Sequence, residues 1–505
     1  MANKLLKASA GITIIMIFGY ILSFIREAII ANYFGLSADV DAYMIAIQIP
    51  VLLFSFLSVA VQSVVVPVYS DILYNKGSKD AKEYIDNLLT ILVLFSLFIV
   101  IAGEFLSSPC IYLFAPGFDQ CTHVLSASLL RIALPSILFS IVCQVLVAVL
   151  NVHKQYVINS FAVYFLNVTV IVAVLLLHAT MGVTSACVGQ LLGEFLKVAF
   201  VAFLARKFYN YKYSLKLKNA DVTRTLKMSV PVFFSISVAE VNAIVNRIVG
   251  SFLFVGSISA LTYAGKINTV LMQLFVSAIA TIVYPLYAES TAKHDIGQLN
   301  RRINSTFSVY SLFVIPLMCG IFLYKREIIE LVFARGAFDT EAVELTQRLL
   351  GWYSIGLLFM SLRSTINNVF YSLKDTKTPA INATIGAVLN IVLNITLPLF
   401  MGVDGIALSS SITAVFITTS LLYSMVRKYK DIYIKDYLIN LKGIVISSVL
   451  MSVIIYLCRI VLSIDSSILS LCIGVLIASF SYLIGITMFN VPIFRQIYKM
   501  VLTKK

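Results

Sequence analysis

Residues 12–71 read ITIIMIFGYILSFIREAIIANYFGLSADVDAYMIAIQIPVLLFSFLSVAVQSVVVPVYSD, two apolar runs joined by a short polar turn. The first run contains the adjacent charges Arg26 and Glu27, and the turn carries Asp41. Charge inside the hydrocarbon of a bilayer costs several kcal/mol, so such residues mark functional sites unless they snorkel to the membrane surface. The stretch therefore predicts a transmembrane hairpin, with its charges either in a polar site or at the interface.

The composition indicates a protein with many membrane spans. Of the 505 residues, 60% are hydrophobic and only 12% are charged, which excludes an ordinary soluble domain. The basic segment 1–7 precedes an apolar run that is too long for the core of a signal peptide. We therefore expect this run to be a retained first span.

The net charge of +14 is distributed unevenly along the chain. Of the 38 Lys and Arg, 27 fall in alternate loops and in the two end segments, an asymmetry that predicts both termini in the cytoplasm. These residues report topology rather than an anionic partner. Six basic residues remain within predicted spans: Arg26, Arg131, Lys197, Arg247, Lys266 and Arg363.

The sequence contains none of the catalytic motifs considered: a Gly-rich phosphate loop, a zinc-protease motif or a nucleophile elbow. The four His lie far apart and show no metal-ligand spacing. Cys110 and Cys121 share a predicted outer loop, where a disulfide and two free thiols are both open interpretations. We expect a protein that is not an enzyme and has no cofactor, no assigned metal and no nucleic-acid partner.

Hydropathy and loop charge together predict an all-α polytopic membrane protein with 14 transmembrane helices. Helices are expected because every backbone polar group in lipid needs an internal partner. The predicted spans are 8–31, 41–70, 87–108, 123–150, 157–178, 183–205, 226–251, 258–288, 303–324, 345–372, 379–400, 404–426, 443–462 and 467–490.

An internal repeat relates the first six helices to the next six. At an offset of 218, residues 67–71 match residues 285–289, and at an offset of 220, residues 181–183 match residues 401–403. Six helices is an even number, so the two copies are parallel, an arrangement in which transporters usually bind substrate between the halves. The predicted parts are 1–218 (helices 1–6), 219–430 (helices 7–12) and 431–505 (helices 13–14 and a basic cytoplasmic tail).

Two segments outside the spans have structural interpretations. The basic, Tyr-containing segment 206–227 joins the repeats, and we predict a linker on anionic headgroups. In the outer segment 327–347, Gly336 permits a turn and Asp339 is placed to cap the next helix, with Glu341 in its first turn.

Four charged residues form the main candidate site. Arg26 and Lys266 lie in corresponding hairpins of the two repeats and are candidates to bind an anionic headgroup, because a diphosphate suits a forked Arg donor beside a compact Lys charge. Glu27 and Asp41 would order these cations in the empty site. The alternative is charge pairing within the bundle, with no ligand.

Two further polar groups have open roles. Asn390 and Asn394 share one helix face, with Asn246 and Ser410 as possible neighbours, and such amides either join helices or supply oxygens to an ion. Glu240 is a candidate for ion or proton coupling, or for pairing with Arg247 or Arg363.

Several motifs closely resemble the MurJ/MviN family of lipid II flippases, within the multidrug/oligosaccharidyl-lipid/polysaccharide exporter superfamily. The resemblance covers helices 1–12, and its carrying stretches are 26–28 (REA), 34–35 (FG), 41–43 (DAY), 49–54 (IPVLLF), 259–264 (SALTYA), 284–285 (YP), 335–339 (RGAFD) and 370–379 (FYSLKDTKTP).

The resemblance implies a cationic central cavity that binds a lipid-linked sugar diphosphate and opens alternately to each side. Arg26 and Glu27 match the family's helix 1 pair, Asp41 its helix 2 acid and Lys266 a cavity Arg. Tyr20 and Phe54 stand where some members have further Arg residues. Some relatives bind sodium near the positions of Asn246, Asn390 and Asn394, but the matching carboxylates are absent here.

The predicted function is therefore translocation of an undecaprenyl-diphosphate-linked peptidoglycan precursor, lipid II, across the bacterial cytoplasmic membrane for cell wall synthesis. The expected partners are this substrate, membrane lipids and possible cell-wall synthases, with the chain acting as a monomer. The alternatives are an exporter of another lipid-linked oligosaccharide, a cation-coupled drug antiporter and a non-transporting scaffold for wall synthesis.

Overall fold

The computed structural model describes residues 2–155, 157–216, 219–273, 276, 278–462 and 466–502; within these ranges it does not describe the side chains of 2–14, 54, 56–58, 62, 157, 159–160, 231–239, 278, 281–282 and 500–502. All the regular secondary structure in these ranges is helical, with short turns and loops between the helices and no β-strand. Among the described residues, 11 helices are long and apolar enough to cross a membrane. The all-α class and the polytopic membrane architecture are thereby confirmed.

The chain divides into two compact units, Met1–Ser259 and Ala260–Lys505. The helices of the first unit are α1 (Ala2–Phe34), α2 (Ala38–Ala60), α3 (Val66–Asn75), α4 (Ser78–Phe114), α5 (Gln120–Ala133), α6 (Ser136–Val152), α7 (Val157–Met181), α8 (Thr184–Ala205) and α9 (Ala220–Ser251).

Helix α10 (Ser257–Met272) begins in the first unit and continues into the second. The remaining helices of the second unit are α11 (Ala278–Ala292), α12 (Ile296–Phe333), α13 (Thr340–Ile355), α14 (Leu357–Ser372), α15 (Lys377–Thr396), α16 (Pro398–Met401), α17 (Val403–Lys428), α18 (Lys435–Leu462), α19 (Ser467–Met488) and α20 (Pro492–Leu502).

Several predicted spans are interrupted. The span predicted at 123–150 breaks between α5 and α6, where Pro135 lacks the amide that a continuous helix needs. The span predicted at 345–372 breaks at Gly356, the corresponding place in the second repeat. Between α2 and α3, the segment Val61–Val65 is a π-helical turn just before Pro67, a residue that cannot donate to the helix ladder.

The repeat seen in the sequence recurs in the backbone. Lys154 and Lys374, which are 220 residues apart, each follow the end of a helix, and both have a positive φ, of 63° and 60°. Asp119 and Asp339, again 220 apart, both cap a helix, α5 and α13, through their carboxylates. The same local solution at the same spacing supports two copies of one helical pattern.

The linker between the repeats docks on a helix. The Tyr209 hydroxyl and the Lys212 amide both donate to Asp86 Oδ1 of α4, at 2.6 and 2.9 Å. The Lys216 amide donates to Asn87 Oδ1 at 2.7 Å, and Asn87 Nδ2 donates back to the Lys216 carbonyl at 2.9 Å. The described part of the linker is therefore held by α4, whereas the sequence predicted contact with lipid headgroups.

The second unit holds its own connecting segment in the same way. Asn300 Oδ1 of α12 accepts from the Tyr433 amide at 3.1 Å, and Asn304 Oδ1 accepts from the Tyr437 amide at 2.9 Å. Helix α12 corresponds to α4 in the repeat. In both units, backbone amides of a connecting segment thus donate to buried carboxylate or amide oxygens of a helix instead of to water.

Helix α9 is bonded to the rest of the first unit near both of its ends. Near its start, Lys76 Nζ lies 2.8 Å from Asp221 Oδ2, and the Tyr84 and Thr225 hydroxyls lie 2.8 Å apart. Near its end, Ser251 Oγ accepts from the Gly117 amide at 3.1 Å. The first unit therefore contains the seventh predicted span, 226–251, in addition to the six spans predicted for the first repeat. The predicted boundary at residue 218 stays a prediction.

Candidate functional site

Arg26 and Glu27 form a buried ion pair on α1. Arg26 Nη2 lies 2.5 Å from Glu27 Oε1, and the two side chains are 12% and 6% exposed. Arg26 Nε is buried and has no hydrogen-bond partner among the described residues. Because an Arg guanidinium carries five donors, a group with several acceptor oxygens would satisfy donors that Glu27 leaves unused.

Asp41 binds the start of α10 inside the first unit. Its Oδ2 accepts from the Gly256 amide at 2.7 Å, and its Oδ1 accepts from the Ser259 amide at 2.8 Å. Asp41 is only 3% exposed. A carboxylate at a helix amino terminus satisfies amides that have no intrahelical acceptor and is favoured by the helix dipole.

The backbone at Gly256 explains how the carboxylate reaches these amides. Gly256 has φ of +89°, and a Cβ there would lie 2.9 Å from the Cβ of Leu36, in the turn between α1 and α2. A side chain would therefore both strain the backbone and separate α10 from this turn. The signal for this contact in the sequence is the glycine itself, one residue before α10.

The other charged candidates lie on α9, α10 and α14. Arg247 Nη2 donates to Gln48 Oε1 of α2 at 2.8 Å, and Arg247 forms no ion pair with Glu240 in the described part of the chain. Glu240 is half-buried on α9. In the second unit, Lys266 is half-buried on α10 and Arg363 is half-buried on α14.

The polar cluster of the second unit joins α15 to α17. Asn394 Nδ2 donates to Asn390 Oδ1 at 2.9 Å, and Asn390 Nδ2 donates to Thr413 Oγ1 at 3.2 Å. Ser409 Oγ donates to Asn394 Oδ1, whereas Ser410 Oγ donates at 3.3 Å to the Ile406 carbonyl of its own helix. Both amide oxygens thus accept from protein donors, the arrangement expected of helix-joining amides.

Asn246, the third predicted amide, lies on α9 of the first unit and is half-buried. No group of three His, Cys, Asp or Glu that could hold a metal ion is found among the described residues.

Replacing Asn394 with Ala tests the role of this cluster. We expect a loss of stability of about 1 kcal/mol, since interhelical hydrogen bonds in membranes are worth about that much, and no change in transport. Thermal unfolding of the purified protein with and without sodium measures the stability, and growth of flippase-depleted cells measures transport. Ser410→Ala is the matched control and should leave the unfolding temperature unchanged. A sodium-dependent stabilisation that Asn394→Ala abolishes would contradict the helix-joining role.

Sequence reasoning missed a second buried charge pair, on α8. Lys197 Nζ lies 2.5 Å from Glu194 Oε2, with side chains 15% and 12% exposed, and Ser140 Oγ donates to Glu194 Oε2 at 2.8 Å. Lys197 was singled out as an intramembrane cation, and the acid three residues before it was the available signal. The pair satisfies both charges within the first unit.

Two of the stretches that carry the resemblance, 335–339 and 370–379, form capping turns. Gly336 has φ of 57°, and Asp339 Oδ1 accepts from the Ala342 amide at 2.8 Å, so the predicted turn and cap are confirmed. Asp375 accepts from the Thr378 amide at 3.1 Å and from Lys428 Nζ at 2.6 Å. Burial raises the pKa of Asp375, but these hydrogen bonds outweigh it and lower the pKa to about 2.

Cys110 and Cys121 are free thiols, the first half-buried and the second exposed. Of the two positions where some relatives carry an additional Arg, Tyr20 is half-buried on α1, and the side chain of Phe54 lies outside the described residues.

The sequence and the fold both match known proteins. The family model described as "Lipid II flippase MurJ" matches residues 30–481. The chain belongs to the MurJ family of lipid II flippases. A relative named lipid II flippase MurJ, from Thermosipho africanus, is 30% identical over 455 residues, covering 90% of this chain and 91% of the relative. A probable lipid II flippase MurJ from Thermotoga maritima is 26% identical over 409 residues, covering 81% and 83%.

Solved structures agree with the family assignment. A structure titled "Lipid II flippase MurJ, inward closed conformation" superposes with a TM-score of 0.84 at 30% identity, covering 95% of this chain and 98% of that one. An inward-facing MATE multidrug transporter of the MOP superfamily gives a TM-score of 0.67 at 14% identity, covering 82% and 95%. The second likeness shows the shared fold alone.

Proposed function

We propose that this protein moves lipid II from the cytoplasmic to the outer leaflet of the bacterial cytoplasmic membrane by alternating access. The observation that carries the proposal is the family match over residues 30–481, which begins just after Arg26 and Glu27 and includes Asp41. A transporter of this family needs no catalytic group, since flipping breaks no covalent bond.

We propose that Arg26 and Lys266 contact the diphosphate of the substrate. The Nε of Arg26 supports this role, because it is a buried donor that has no acceptor among the described residues. Glu27 orders the guanidinium in the empty site, at 2.5 Å. Asp41 acts on conformation rather than on the ligand, because both its oxygens accept from the start of α10.

The polyprenyl tail is proposed to lie along α18 and α19. A cavity of about 520 Å³ supports this placement, with walls from α12, α18, α19 and α20. Its lining is almost entirely apolar and includes Phe313, Met451, Leu471 and Phe494. Such a surface suits a hydrocarbon chain, since only apolar contact is gained there.

The proposed topology has 14 spans with both termini in the cytoplasm. To the 11 spans found among the described residues, this proposal adds three. The first consists of α2 and α3, the second is α9, and the third consists of α10 and α11. The basic residues of alternate loops support the orientation. The protein is proposed to act as a monomer and to deliver its substrate to cell-wall synthases.

Growth of bacterial cells depleted of their own lipid II flippase tests this function. We expect the wild-type chain to restore growth and Lys266→Ala to reduce it strongly, because a charge-assisted contact of about 1.5–3 kcal/mol is lost. Lys377→Ala, which removes an exposed lysine of α15, is the matched control and should restore growth fully. Failure of the wild-type chain at normal membrane levels would favour another lipid-linked oligosaccharide as substrate.

A further inference from the structure

A second cavity of the second unit, of about 730 Å³, lies at one end of α11, α12, α18 and α20. Its walls are partly apolar, with Val283, Val309, Ile439 and Ile493 among the lining residues. Charged and amide side chains also line it: Arg301, Arg302, Asp436 and Gln496. A site with both kinds of lining at the end of membrane helices suits the headgroup region of a lipid.

The two arginines of this cavity differ in what they already bind. Arg302 Nη2 lies 3.1 Å from Glu289 Oε2, and Arg302 Nη1 donates to Ser290 Oγ at 2.7 Å. Arg301 is exposed, and its side chain makes no hydrogen bond or ion pair with any residue that the structure describes. Arg301 is therefore the cation with donors to offer a ligand.

Helix α20 forms a fixed wall of the cavity. Asn440 Oδ1 of α18 accepts from the Ile493 amide at 2.9 Å, which ties the start of α20 to α18. Ile493 is buried, and Phe494 and Ile497 pack against the same apolar cluster. Arg495 is exposed on this helix. An amphipathic helix with apolar anchors and a basic face is typical of the membrane interface, whereas the sequence predicted only a basic tail here.

We propose that this cavity binds an anionic phospholipid with a hydroxyl-bearing headgroup, of the phosphatidylglycerol class. The phosphate accepts from Arg301, the hydroxyls donate to Asp436, and the first part of the acyl chains lies against Val309 and Ile439. Under the proposed topology this is the cytoplasmic leaflet, where basic residues at the surface attract anionic lipids.

The charges of the lining select this class over other lipids. Arg301, Arg302 and Asp436 sum to one positive charge. Glu289, which binds Arg302, is balanced by Lys293 at 2.6 Å, so the net charge of +1 matches a phosphodiester monoanion. A diphosphate would bring a second negative charge close to Asp436, and like charges repel. A zwitterionic headgroup would leave the net positive charge uncompensated. The cavity is thus distinct in its ligand from the proposed site of Arg26 and Lys266.

Lipid retention by the purified full-length chain tests the proposal. The protein is equilibrated in mixed micelles with phosphatidylglycerol, phosphatidylethanolamine or phosphatidylcholine, and the retained lipid is counted by native mass spectrometry. We expect phosphatidylglycerol to be retained preferentially and Arg301→Ala to weaken its binding about five- to tenfold. Arg326→Ala, which removes an exposed arginine near the other end of α12, should retain phosphatidylglycerol like the wild type.

Three results would overturn the proposal. Equal retention by Arg301→Ala and wild type would show that Arg301 binds no headgroup. Equal or stronger retention of a zwitterionic lipid would contradict the charge argument. Displacement of phosphatidylglycerol by an equimolar polyprenyl diphosphate would assign the cavity to the substrate instead. Since retention is measured without transport, these results are independent of whether the chain flips lipid II.

Discussion

Arg26→Ala is expected to abolish lipid II translocation, with a loss of at least about 100-fold. The substitution removes a forked phosphate donor worth about 1.5–3 kcal/mol. It also leaves Glu27, whose side chain is 6% exposed, as an unpaired buried carboxylate, and breaking a buried pair in this way costs about 3–5 kcal/mol. Growth of flippase-depleted cells, with the amount of variant in the membrane checked, measures the loss.

Two further variants separate binding from folding. Arg26→Lys keeps a charge beside Glu27 but loses the planar fork, so we expect normal membrane levels and partial translocation. Arg206→Ala removes an exposed arginine and should translocate like the wild type. Full translocation by Arg26→Ala at normal levels would remove Arg26 from the diphosphate site.

Asp41→Ala is expected to release the start of α10 from α2 and to slow translocation at least about tenfold. Two charge-assisted hydrogen bonds are lost, from Gly256 and Ser259, each worth about 1.5–3 kcal/mol. A total of about 3 kcal/mol corresponds to about a hundredfold change in the population of the bonded state. We propose that this contact forms and breaks in turn as the protein alternates between its conformations, so that its loss slows translocation.

Hydrogen exchange followed by mass spectrometry measures this release directly. Peptides covering residues 252–263 should exchange about a hundredfold faster in Asp41→Ala than in the wild type. Asp39→Ala is the matched control, since Asp39 lies in the same first turn of α2 but is exposed. Unchanged exchange in Asp41→Ala would show that the carboxylate does not hold α10.

The fold could be predicted from the sequence largely because a membrane permits so few backbone arrangements. Apolar length and loop charge placed the spans, and the offset of 218–220 residues placed the repeat that the backbone shows at Lys154 and Lys374. Interruptions inside spans were missed, as at Gly356, because hydropathy averages over a break of one or two residues. Helix α20 was missed because its charged residues lower its mean hydropathy, so that the segment resembles a polar tail.

In the candidate site, contacts between neighbours in the chain could be predicted from the sequence, and contacts between distant residues could not. Arg26 and Glu27 are neighbours in the chain, so a pair between them was open to sequence reasoning. The partners of Asp41 are backbone amides 215 and 218 residues away, and an amide carries no signature of its own in a sequence. Gln48 binds Arg247 across a similar separation of 199 residues, whereas sequence reasoning named Glu240, on the same helix, as one possible partner.

Reconstitution into proteoliposomes tests the central claim most directly. Vesicles carrying lipid II are prepared with the wild-type chain, with Arg26→Ala or without protein, and the lipid II accessible at one surface is followed with time. The predicted result is that accessible lipid II increases in wild-type vesicles alone, and that an undecaprenyl-diphosphate-linked capsule unit moves more slowly. Wild-type vesicles that behave like protein-free ones, or like Arg26→Ala vesicles, would contradict the account.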